Sequence, residues 1–237
     1  MVKINKNIAM IPVRIGSQRL KWKNLVLIKN KPLIYYSIIS AIKSKKFDKI
    51  YINSDSKIFE DIAKKYNINF FLRPKKLGSS NVHSDEVVHN FLTNIECERL
   101  FWINPIAPLQ NYKEIEDAVE CFIKSRKDSF FTVLEKKVHF IFNNNPINFK
   151  KNKKFDKTQD LKPCFEINYN IMAWRAKKFL QEYKKSNHGF FCGKTKYFNS
   201  SKKSNIIVKT KEDVEIVKLF FLDYSKRIKY DKIIRNL

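Results

Sequence analysis

Short apolar runs alternate with amphipathic stretches along the first half of the chain. The runs have the length of strands, are rich in Ile, Val and Phe, and cover residues 7–13, 49–53, 69–72, 99–103 and 130–134. Runs of this kind are typical of strands that are buried on both faces of a parallel sheet. The stretches between them repeat their apolar positions at helical spacing. The pattern predicts an α/β fold with a mostly parallel sheet and helices on both of its faces.

The starts of the predicted helices are marked by proline and by small polar residues. Pro32 suits the first turn of a helix, because no backbone N–H is needed there. Thr210 and Asp213 have the spacing of a capping box, in which each side chain accepts a hydrogen bond from the other residue's backbone. The five residues expected to begin a helix are Pro32, Ser56, Ser84, Asn111 and Thr210.

The pattern is less regular beyond residue 135. Residues 136–203 are predicted to form basic loops and short strands such as 167–174, and we interpret them as an insertion or dimerisation element within a single domain of residues 1–237. A short strand at 206–208 and a closing helix are predicted to follow. Five apolar side chains of that closing segment are expected to face the core: Val214, Ile216, Val217, Phe220 and Phe221.

The composition is that of a folded protein, since 43% of the residues are apolar and 30% are charged. No apolar run approaches the ~18 residues that cross a membrane, and the first residues are too weakly apolar for a signal peptide. We expect a cytoplasmic protein without a membrane partner. The four cysteines form no Cys-x-x-Cys pair, so neither zinc nor disulfides are expected; they are Cys97, Cys121, Cys164 and Cys192.

The net charge is +25, because 48 Lys and Arg residues outnumber 23 Asp and Glu residues. Such an excess can favour nucleic acids or other polyanions. The lysines are spread along the whole chain, however, and the densest basic stretch, residues 150–157, contains no nucleic-acid-binding motif. We interpret most of the charge as compositional and expect no nucleic acid partner. Salt-sensitive binding to random duplex DNA would contradict this interpretation.

The most informative segment is IPVRIGSQRLKWKN, residues 11–24, in which a predicted strand leads directly into a basic loop. The loop combines four cations with a glycine that permits close backbone approach and a serine hydroxyl. These are the groups that a triphosphate requires. The segment has neither the Walker A pattern nor Gly-x-Gly-x-x-Gly. From these residues alone, a solvated basic loop is an equal alternative.

The order of these residues resembles the nucleotide signature of the acylneuraminate cytidylyltransferase family, a pattern like I-P-A-R-x-G-S-K-x-x-x-x-K-N after the first strand. The matching residues are Arg14, Gly16, Ser17, Lys23 and Asn24. Gln18 stands where the family usually has lysine. The resemblance implies a Rossmann-like nucleotide-diphospho-sugar transferase fold.

The resemblance continues along nearly the whole chain. LRPKKLGSS (72–80) is similar to the family's R-P-x-x-L-A-S-D stretch, INPIAPLQ (103–110) is similar to L-Q-P-T-S-P-L-R, and residues 157–179 and 188–198 resemble the acceptor and dimerisation region. The nucleotide-binding residues implied are Arg14, Gly16, Ser17, Gln18, Lys23, Asn24, Arg73 and Ser84, of which Arg14 and Lys23 are the implied catalytic residues. The acceptor-binding residues implied are Asn104, Gln159, Asp160 and Asn168.

The resemblance implies a reaction between CTP and a nine-carbon 2-keto sugar acid related to sialic acid. The sugar attacks the α-phosphate, pyrophosphate leaves, and a CMP-sugar is formed for surface polysaccharide assembly. Transfer of this kind depends on positioning and charge stabilisation, which the basic loop is suited to provide. The resemblance also implies a homodimer and a Mg²⁺ cofactor.

The chain departs from the family where the metal is expected. The family's late D-x-D pattern, held to bind the catalytic magnesium, falls on Ile207 and Lys209, which offer no oxygen ligands. Asp213 is retained, but its position suits a helix cap. Charges are also lost at Gln18, Ser80 and Gln110. Two alternatives stay open: Lys209 replaces part of the metal's charge, or the chain is a degenerate homologue that binds nucleotide sugars or serves as a scaffold.

Overall fold

A seven-stranded sheet forms the centre of the molecule in the computed structural model, which describes residues 5–222. In chain order the strands are β1 (Asn5–Val13), β2 (Leu27–Ile28), β3 (Lys31–Pro32), β4 (Lys49–Ser54), β5 (Asn69–Leu72), β6 (Cys97–Ile103), β7 (Ser129–Lys136), β8 (Ile141–Phe142), β9 (Asn145–Pro146), β10 (Cys164–Arg175) and β11 (Thr195–Asn199). The order of strands across the sheet is β11-β7-β10-β6-β1-β4-β5. Strands β2 and β3 form a small antiparallel hairpin, as do β8 and β9.

Six of the seven sheet strands run in the same direction. Strand β1 pairs in parallel with β4 and β6, β4 pairs in parallel with β5, and β11 pairs in parallel with β7. Strand β10 is the exception, because it runs antiparallel between β6 and β7. The predicted mostly parallel sheet is therefore confirmed, with one reversed strand that the hydrophobic pattern did not indicate.

Helices cover both faces of the sheet, as predicted. The described helices are α1 (Leu33–Ser44), α2 (Ile58–Lys65), α3 (Ser84–Asn94), α4 (Tyr112–Ser125), α5 (Ala176–Ser186) and α6 (Lys211–Phe220). Helices α1, α2 and α4 bury residues such as Ile38, Phe59 and Phe122 against one face. Helices α3 and α5 bury Phe91 and Phe179 against the other. Each fully buried side chain of this size stabilises the fold by about 1.5–3 kcal/mol. None of these six helices is long and apolar enough to cross a membrane.

Two of the predicted helix caps are present, and two others, Ser56 and Ser84, lie next to the residue that occupies the cap position. The Asn111 side chain accepts a hydrogen bond from the Glu114 backbone N–H (3.0 Å) at the start of α4. Thr210 and Asp213 form the predicted capping box at the start of α6. The prediction of Ser56 as a cap is wrong, because Ser56 lies in the preceding turn and its N–H donates to the Ser54 hydroxyl (3.1 Å).

Residues 136–203 contribute more to the central sheet than their pattern predicted. Strands β10 and β11 belong to the sheet, and α5 packs on its face. Residues 137–163 lie outside it, with the β8–β9 hairpin and a short 3-10 turn, Thr158–Asp160. The alternation along β10 is hidden in the sequence because an irregularity between Ile167 and Met172 interrupts its pairing with β7.

The predicted strand at 206–208 is not formed. Its backbone makes one long-range hydrogen bond, in which the Val208 N–H donates to the Ile106 carbonyl oxygen (2.8 Å). Val208 itself is fully buried and packs with Leu20 of the basic loop. The segment is therefore held by side-chain packing rather than by strand pairing.

The inward face of α6 is narrower than predicted. Val214 and Val217, three residues apart, are buried beside Leu20 and Val208. Ile216 and Phe220 were expected to face the core, but they are 46% and 44% exposed. The reason is that α6 covers only a small satellite core at the edge of the sheet, which two positions of the helix suffice to fill. Phe221 follows the helix and is half-buried, with its ring 4.8 Å from that of Tyr36.

Candidate functional site

Four polar or charged side chains lie directly after parallel strands at one edge of the sheet. Arg14 follows β1, Asp55 follows β4, Arg73 follows β5 and Asn104 follows β6. These four strands are neighbours and run in the same direction, so their carboxyl ends meet. Ligands of open α/β sheets bind at this edge. A cavity of about 310 Å³ opens there, which we call the strand-end pocket.

The strand-end pocket combines cations, hydrogen-bonding groups and an apolar wall. Its cations are Arg14, Lys23 and Arg73; its uncharged polar residues are Ser17, Asn24, Ser79, Ser80, Ser84 and Asn104; its apolar residues are Pro12, Val13, Leu77, Val82, Val87, Trp102, Pro105 and Ile106. None of these lining residues, all within the described part of the chain, is acidic. The arrangement suits a ligand with an anionic part and a flat or apolar part.

A tight turn presents the end of the basic loop to the pocket. Trp22 adopts a left-handed backbone conformation (φ 52°), and the Leu25 N–H donates to the Trp22 carbonyl oxygen (2.8 Å). The resulting 3-10 turn, Lys23–Leu25, places Lys23 and Asn24 in the pocket wall. The end of the loop after β1 is therefore part of the pocket wall, whereas Gln18, Arg19 and Lys21 are exposed.

Three buried groups in the pocket wall lack hydrogen-bond partners: the Asn24 side-chain oxygen, the Arg73 Nε and the Trp102 indole N–H. Asn24 is 4% exposed, and its side-chain oxygen has no partner among the described residues. Arg73 is 5% exposed; its Nη1 donates to the backbone oxygen (2.8 Å) and the side-chain oxygen (2.9 Å) of Asn53, whereas its Nε is unpaired. Leaving a buried polar group unpaired costs about 1–3 kcal/mol, so such groups point to a ligand that completes them.

Burial and mutual repulsion act on the cations of the pocket. Burial lowers the pKa of Arg73 to about 10, with Arg14 acting in the same direction and Asp55 opposing it. Arg73 therefore stays charged at neutral pH. The pKa of Lys23 is lowered by burial first and then by three nearby cations: Arg19, Arg14 and Lys209. A bound polyanion would relieve this repulsion, which is the electrostatic character of an anion site.

Asp55 connects three of the loops that surround the pocket. Its carboxylate accepts a hydrogen bond from the Ile15 N–H (3.2 Å) and lies 3.8 Å from Arg73 Nη2. Gly78 packs directly on it, since a Cβ at that position would lie 2.1 Å from Asp55 Oδ2. Asp55 thereby ties the loops after β1, β4 and β5 together.

Ser84 lines the pocket, but it is not the N-cap of α3, contrary to the prediction from the sequence. The N-cap of α3 is His83, whose backbone N–H donates to Glu86 Oε1 (3.1 Å). Ser84 is the first helical residue, so its hydroxyl is not used to cap the helix. The start of α3 at the pocket also adds the favourable end of a helix dipole for an anion.

Two residues implied for nucleotide binding lie beside the pocket rather than in its wall. Gln18 Nε2 donates to Ser80 Oγ (3.5 Å), so the basic loop contacts the opposite wall at the mouth. No atom lies within 4 Å of the position that a Cβ on Gly16 would take. Packing does not require glycine there, and the open space is available to a ligand.

The structure brings one of the four predicted acceptor residues to the pocket. Asn104 lines it, and its side chain is fixed by the Tyr169 carbonyl oxygen (3.2 Å). Gln159 and Asp160 are exposed in the 3-10 turn outside the sheet. Asn168 is 6% exposed, and its amide is hydrogen-bonded to structural partners, including the Thr132 hydroxyl (2.6 Å). Within one chain, these three residues do not form a site with Asn104.

The apolar wall was not predicted from the sequence. Trp102 lines the pocket, and its buried indole N–H has no partner. The sequence contained a signal for Trp102, because this residue lies on β6 two positions before Asn104. Side chains two positions apart in an extended strand share a face. Val82 and Val87 come from the loop before α3 and from α3 itself, and only the fold brings them near Trp102.

The residues at the expected metal site do not fit Mg²⁺. Ile207 and Lys209 supply no carboxylate, and Asp213 Oδ2 already accepts hydrogen bonds from the backbone N–H groups of Lys209 (2.7 Å) and Thr210 (2.8 Å). Within residues 5–222, no three His, Cys, Asp or Glu side chains lie close enough to hold a metal together. Mg²⁺ favours an octahedral set of oxygen ligands, for which the described part of the chain offers no carboxylate cluster here.

Comparison with known families decides between the general kinds of anion-binding α/β protein. A family model described as "Cytidylyltransferase" matches residues 8–235, nearly the whole chain. The chain belongs to the cytidylyltransferase family. The family resemblance inferred from the residues around the basic loop is therefore confirmed.

Similar proteins place this cytidylyltransferase family member more closely. It is 27% identical to the N-acylneuraminate cytidylyltransferase of Streptococcus agalactiae serotype V over 238 aligned positions, which cover 96% of this chain and 56% of that protein. It is 28% identical to the pseudaminic acid cytidylyltransferase of Campylobacter jejuni serotype O:2, over 75% of this chain and 82% of the other. This chain thus spans just over half the length of the streptococcal relative.

The fold matches that of a solved nucleotide-sugar synthetase. The structure of CMP:2-keto-3-deoxy-manno-octonic acid synthetase complexed with CTP superposes with a TM-score of 0.70 at 15% identity, covering 91% of this chain and 98% of that one. At this identity the match concerns the fold alone. The expected Rossmann-like nucleotidyltransferase architecture is confirmed.

Proposed function

We propose that this protein transfers the cytidylyl group of CTP to a sialic-acid-like nonulosonic acid, giving a CMP-sugar and pyrophosphate. The observation that carries the proposal is the strand-end pocket, in which Arg14, Lys23 and Arg73 surround unpaired buried hydrogen-bonding groups in a member of the cytidylyltransferase family. The N-acylneuraminate and pseudaminic acid cytidylyltransferases among its relatives support a nine-carbon 2-keto acid as the acceptor.

The chemistry of this transfer is a substitution at phosphorus. A hydroxyl oxygen of the sugar acid forms a bond to the α-phosphorus of CTP, the bond from that phosphorus to the bridging oxygen breaks, and pyrophosphate leaves with the electron pair. The hydroxyl proton is released to water. Negative charge accumulates on the phosphate oxygens, so fixed cations stabilise the transition state and the leaving group.

The pocket residues have distinct parts in this proposal. Arg14 and Lys23, on the loop after β1, neutralise the phosphates. Arg73 is held by Asn53 and has an unpaired Nε that can donate to the nucleotide, while Asn24 and Ser84 supply hydrogen bonds. Ser17 supplies a further hydroxyl, and Gly16 and Gln18 border the phosphates from the same loop. Asn104 marks the side from which the acceptor enters.

Thermal stabilisation by nucleotides tests the first half of the proposal. The full chain is melted with CTP, UTP, ATP and GTP, each with and without Mg²⁺. A ligand at 100 times its Kd adds about 2.7 kcal/mol of stability, which raises Tm by several degrees. We expect CTP to give the largest rise. Equal rises with all four nucleotides, or none with CTP, would contradict a cytidylyltransferase site.

Product formation tests the second half. Pyrophosphate release is measured with CTP and, in separate reactions, N-acetylneuraminic acid or pseudaminic acid. We expect release with one of these acids and none without an acceptor. CTP binding without turnover on either acid would favour the second candidate, a degenerate homologue that binds nucleotide sugars or acts as a scaffold. Among residues 5–222 no cluster of carboxylates that could hold a metal lies at the pocket, which favours that candidate.

We also propose that two copies assemble around the acceptor side. Five large side chains of residues 137–163 and of the start of β10 are more than half exposed: Ile141, Phe142, Ile147, Phe155 and Phe165. A second copy that covers them would bring Gln159 and Asp160 of one chain into contact with another. Light scattering of the full chain measures the mass directly. A monomer at all concentrations would contradict the homodimer.

The cellular setting follows from the proposed substrates. CTP is supplied in the cytoplasm, so we propose a cytoplasmic enzyme that provides activated sugars for surface polysaccharides. Separation of cells into soluble, membrane and exported fractions, with detection of the protein in each, tests the location. Recovery outside the cytoplasmic fraction would contradict it.

A further inference from the structure

Five cations converge on the strand-end pocket. Arg14, Lys23 and Arg73 line it, and Arg19 and Lys209 are close enough to lower the pKa of Lys23. Of these five, Arg73 alone forms an ion pair with a described carboxylate, that of Asp55. The lining cations Arg14 and Lys23 and their neighbours Arg19 and Lys209 therefore have no ion-pair partner among residues 5–222.

Lys209 reaches this group through the segment before α6. The Val208 N–H donates to the carbonyl oxygen of Ile106 (2.8 Å), and Ile106 lines the pocket. The backbone N–H of Lys209 donates to Asp213, which fixes the main chain at this position. Lys209 is exposed, so its long side chain is free to turn toward the mouth of the pocket.

The carboxylates near the pocket are already engaged. Asp213 accepts hydrogen bonds from two backbone N–H groups at the start of α6. Asp55 accepts one from Ile15 and pairs with Arg73. Neither belongs to a group of acidic side chains that could hold a divalent cation together. Positive charge at the pocket is therefore supplied by arginine and lysine side chains.

We propose that the strand-end pocket neutralises the triphosphate of its nucleotide with these side chains, Lys209 among them, and binds the nucleotide without a divalent metal ion. The inference rests on the proposed function, because it takes CTP as the ligand. Lys209 is a compact cation on a flexible stem, which suits it to contact with phosphate oxygens. Triphosphate and cations then neutralise one another directly, and the repulsion on Lys23 is relieved.

Calorimetric titration of the full chain with CTP tests the proposal, once in EDTA and once in excess Mg²⁺. The variants are Lys209→Gln, which removes the charge, Lys209→Asp, which introduces a possible metal ligand, and Lys43→Gln as the control. Lys43 is an exposed lysine on α1. The Lys209 side chain takes part in no described hydrogen bond, so both variants at this position are expected to keep the parent's Tm.

The expected result is a CTP affinity in EDTA that lies within about threefold of the affinity in Mg²⁺. Lys209→Gln should weaken binding in EDTA by about three- to tenfold, whereas Lys43→Gln should leave it unchanged. Lys209→Asp should weaken it further and make binding respond to Mg²⁺.

Two results would overturn the proposal, and they are distinguishable. Binding of CTP by the parent only in Mg²⁺, or identical affinities for Lys209→Gln and Lys43→Gln, would remove the role of fixed cations while leaving the cytidylyltransferase site intact. Absence of CTP binding in both buffers would overturn the proposed function together with this inference.

Discussion

Two regions of the molecule differ in how the buried residues that the family resemblance linked to substrate are hydrogen-bonded. On the side of β1, β4, β5 and β6, Asn24 Oδ1 and Arg73 Nε are buried at the strand-end pocket without partners. On the side of β10, the Asn168 oxygen accepts from Thr132 and from the Asn170 N–H, and its nitrogen donates to Ser200. Both sets of residues were implied to bind substrate by the same resemblance. Only the first is left incomplete by the protein itself.

The difference separates residues that hold a fold together from residues that wait for a ligand. A buried amide with every hydrogen bond made is a structural element, because moving it toward a substrate would break those bonds. A buried group with an open position at a cavity gains a partner when the ligand arrives. On this basis one chain supplies all the residues of the nucleotide side, whereas the acceptor side requires residues from elsewhere, such as a second copy.

The largest expected effect is that of removing a cation from the pocket. Lys23→Ala should lower the rate of pyrophosphate release from CTP and sugar acid by about 100-fold or more, because a fixed positive charge at the reacting phosphates is lost. Lys43→Ala, on α1, is the matched control and should leave the rate unchanged. Melting curves verify that both variants are folded. A loss of less than about threefold for Lys23→Ala would remove it from the catalytic machinery.

The second prediction compares substitutions of Asn168 and Asn24 directly. Asn168→Ala should lower the free energy of unfolding by about 1–3 kcal/mol, because it removes the buried hydrogen bonds of Asn168 with Thr132, Ser200 and the Asn170 N–H. The affinity of the folded fraction for CTP should not change. Asn24→Ala should weaken CTP binding by about tenfold and leave the stability nearly unchanged, because its oxygen bonds no protein group.

Denaturation in urea and titration with CTP measure both quantities for each variant. The distinction between the two regions would be wrong if Asn24→Ala lowered stability and Asn168→Ala impaired the reaction instead. A stable Asn168→Ala with impaired turnover on the sugar acid would show that Asn168 leaves its structural partners and contacts the acceptor.

Most of the nucleotide side could be predicted from the sequence, because each residue follows a strand. Arg14, Arg73 and Asn104 stand one position beyond β1, β5 and β6, and the parallel order of these strands brings them together. Lys23 was predicted from its position in the basic loop. The pocket's apolar wall was missed, since Val87 meets the others only after α3 packs across the sheet.

The acceptor side could not be predicted for a physical reason. The partners of Asn168 lie 36 and 32 residues away, and the irregular pairing of β10 decides that they meet. Local pattern carries no information about such contacts. The inward face of α6 failed similarly, because the small size of the core that it covers is a property of the whole fold.

A third prediction concerns the pH dependence of nucleotide binding. The pKa of Lys23 is lowered by burial and by neighbouring cations, and phosphate binding needs the protonated amine. Affinity for CTP should therefore be full at neutral pH and fall as pH rises through this lowered pKa, earlier than an ordinary lysine with a pKa near 10.5 would allow. Lys23→Gln should bind more weakly and lose this transition. Titrations between neutral and strongly alkaline pH measure the profile, and an unchanged transition in Lys23→Gln would assign it to another group.

The smallest expected effect belongs to Gln159, which is exposed in the 3-10 turn outside the sheet. Gln159→Ala should change neither Tm nor CTP affinity, because the side chain contacts neither the core nor the strand-end pocket in one chain. Its effect should be limited to an increase in KM for the sugar acid of about three- to tenfold, the value of one hydrogen bond to a substrate. Steady-state kinetics at saturating CTP measure KM, with Lys43→Ala again as the control. If KM rises in the assembled protein while CTP binding stays constant, the acceptor side is completed by a neighbouring chain; if KM does not change, the boundary of the site lies at Asn104, and the region of β10 is structural throughout.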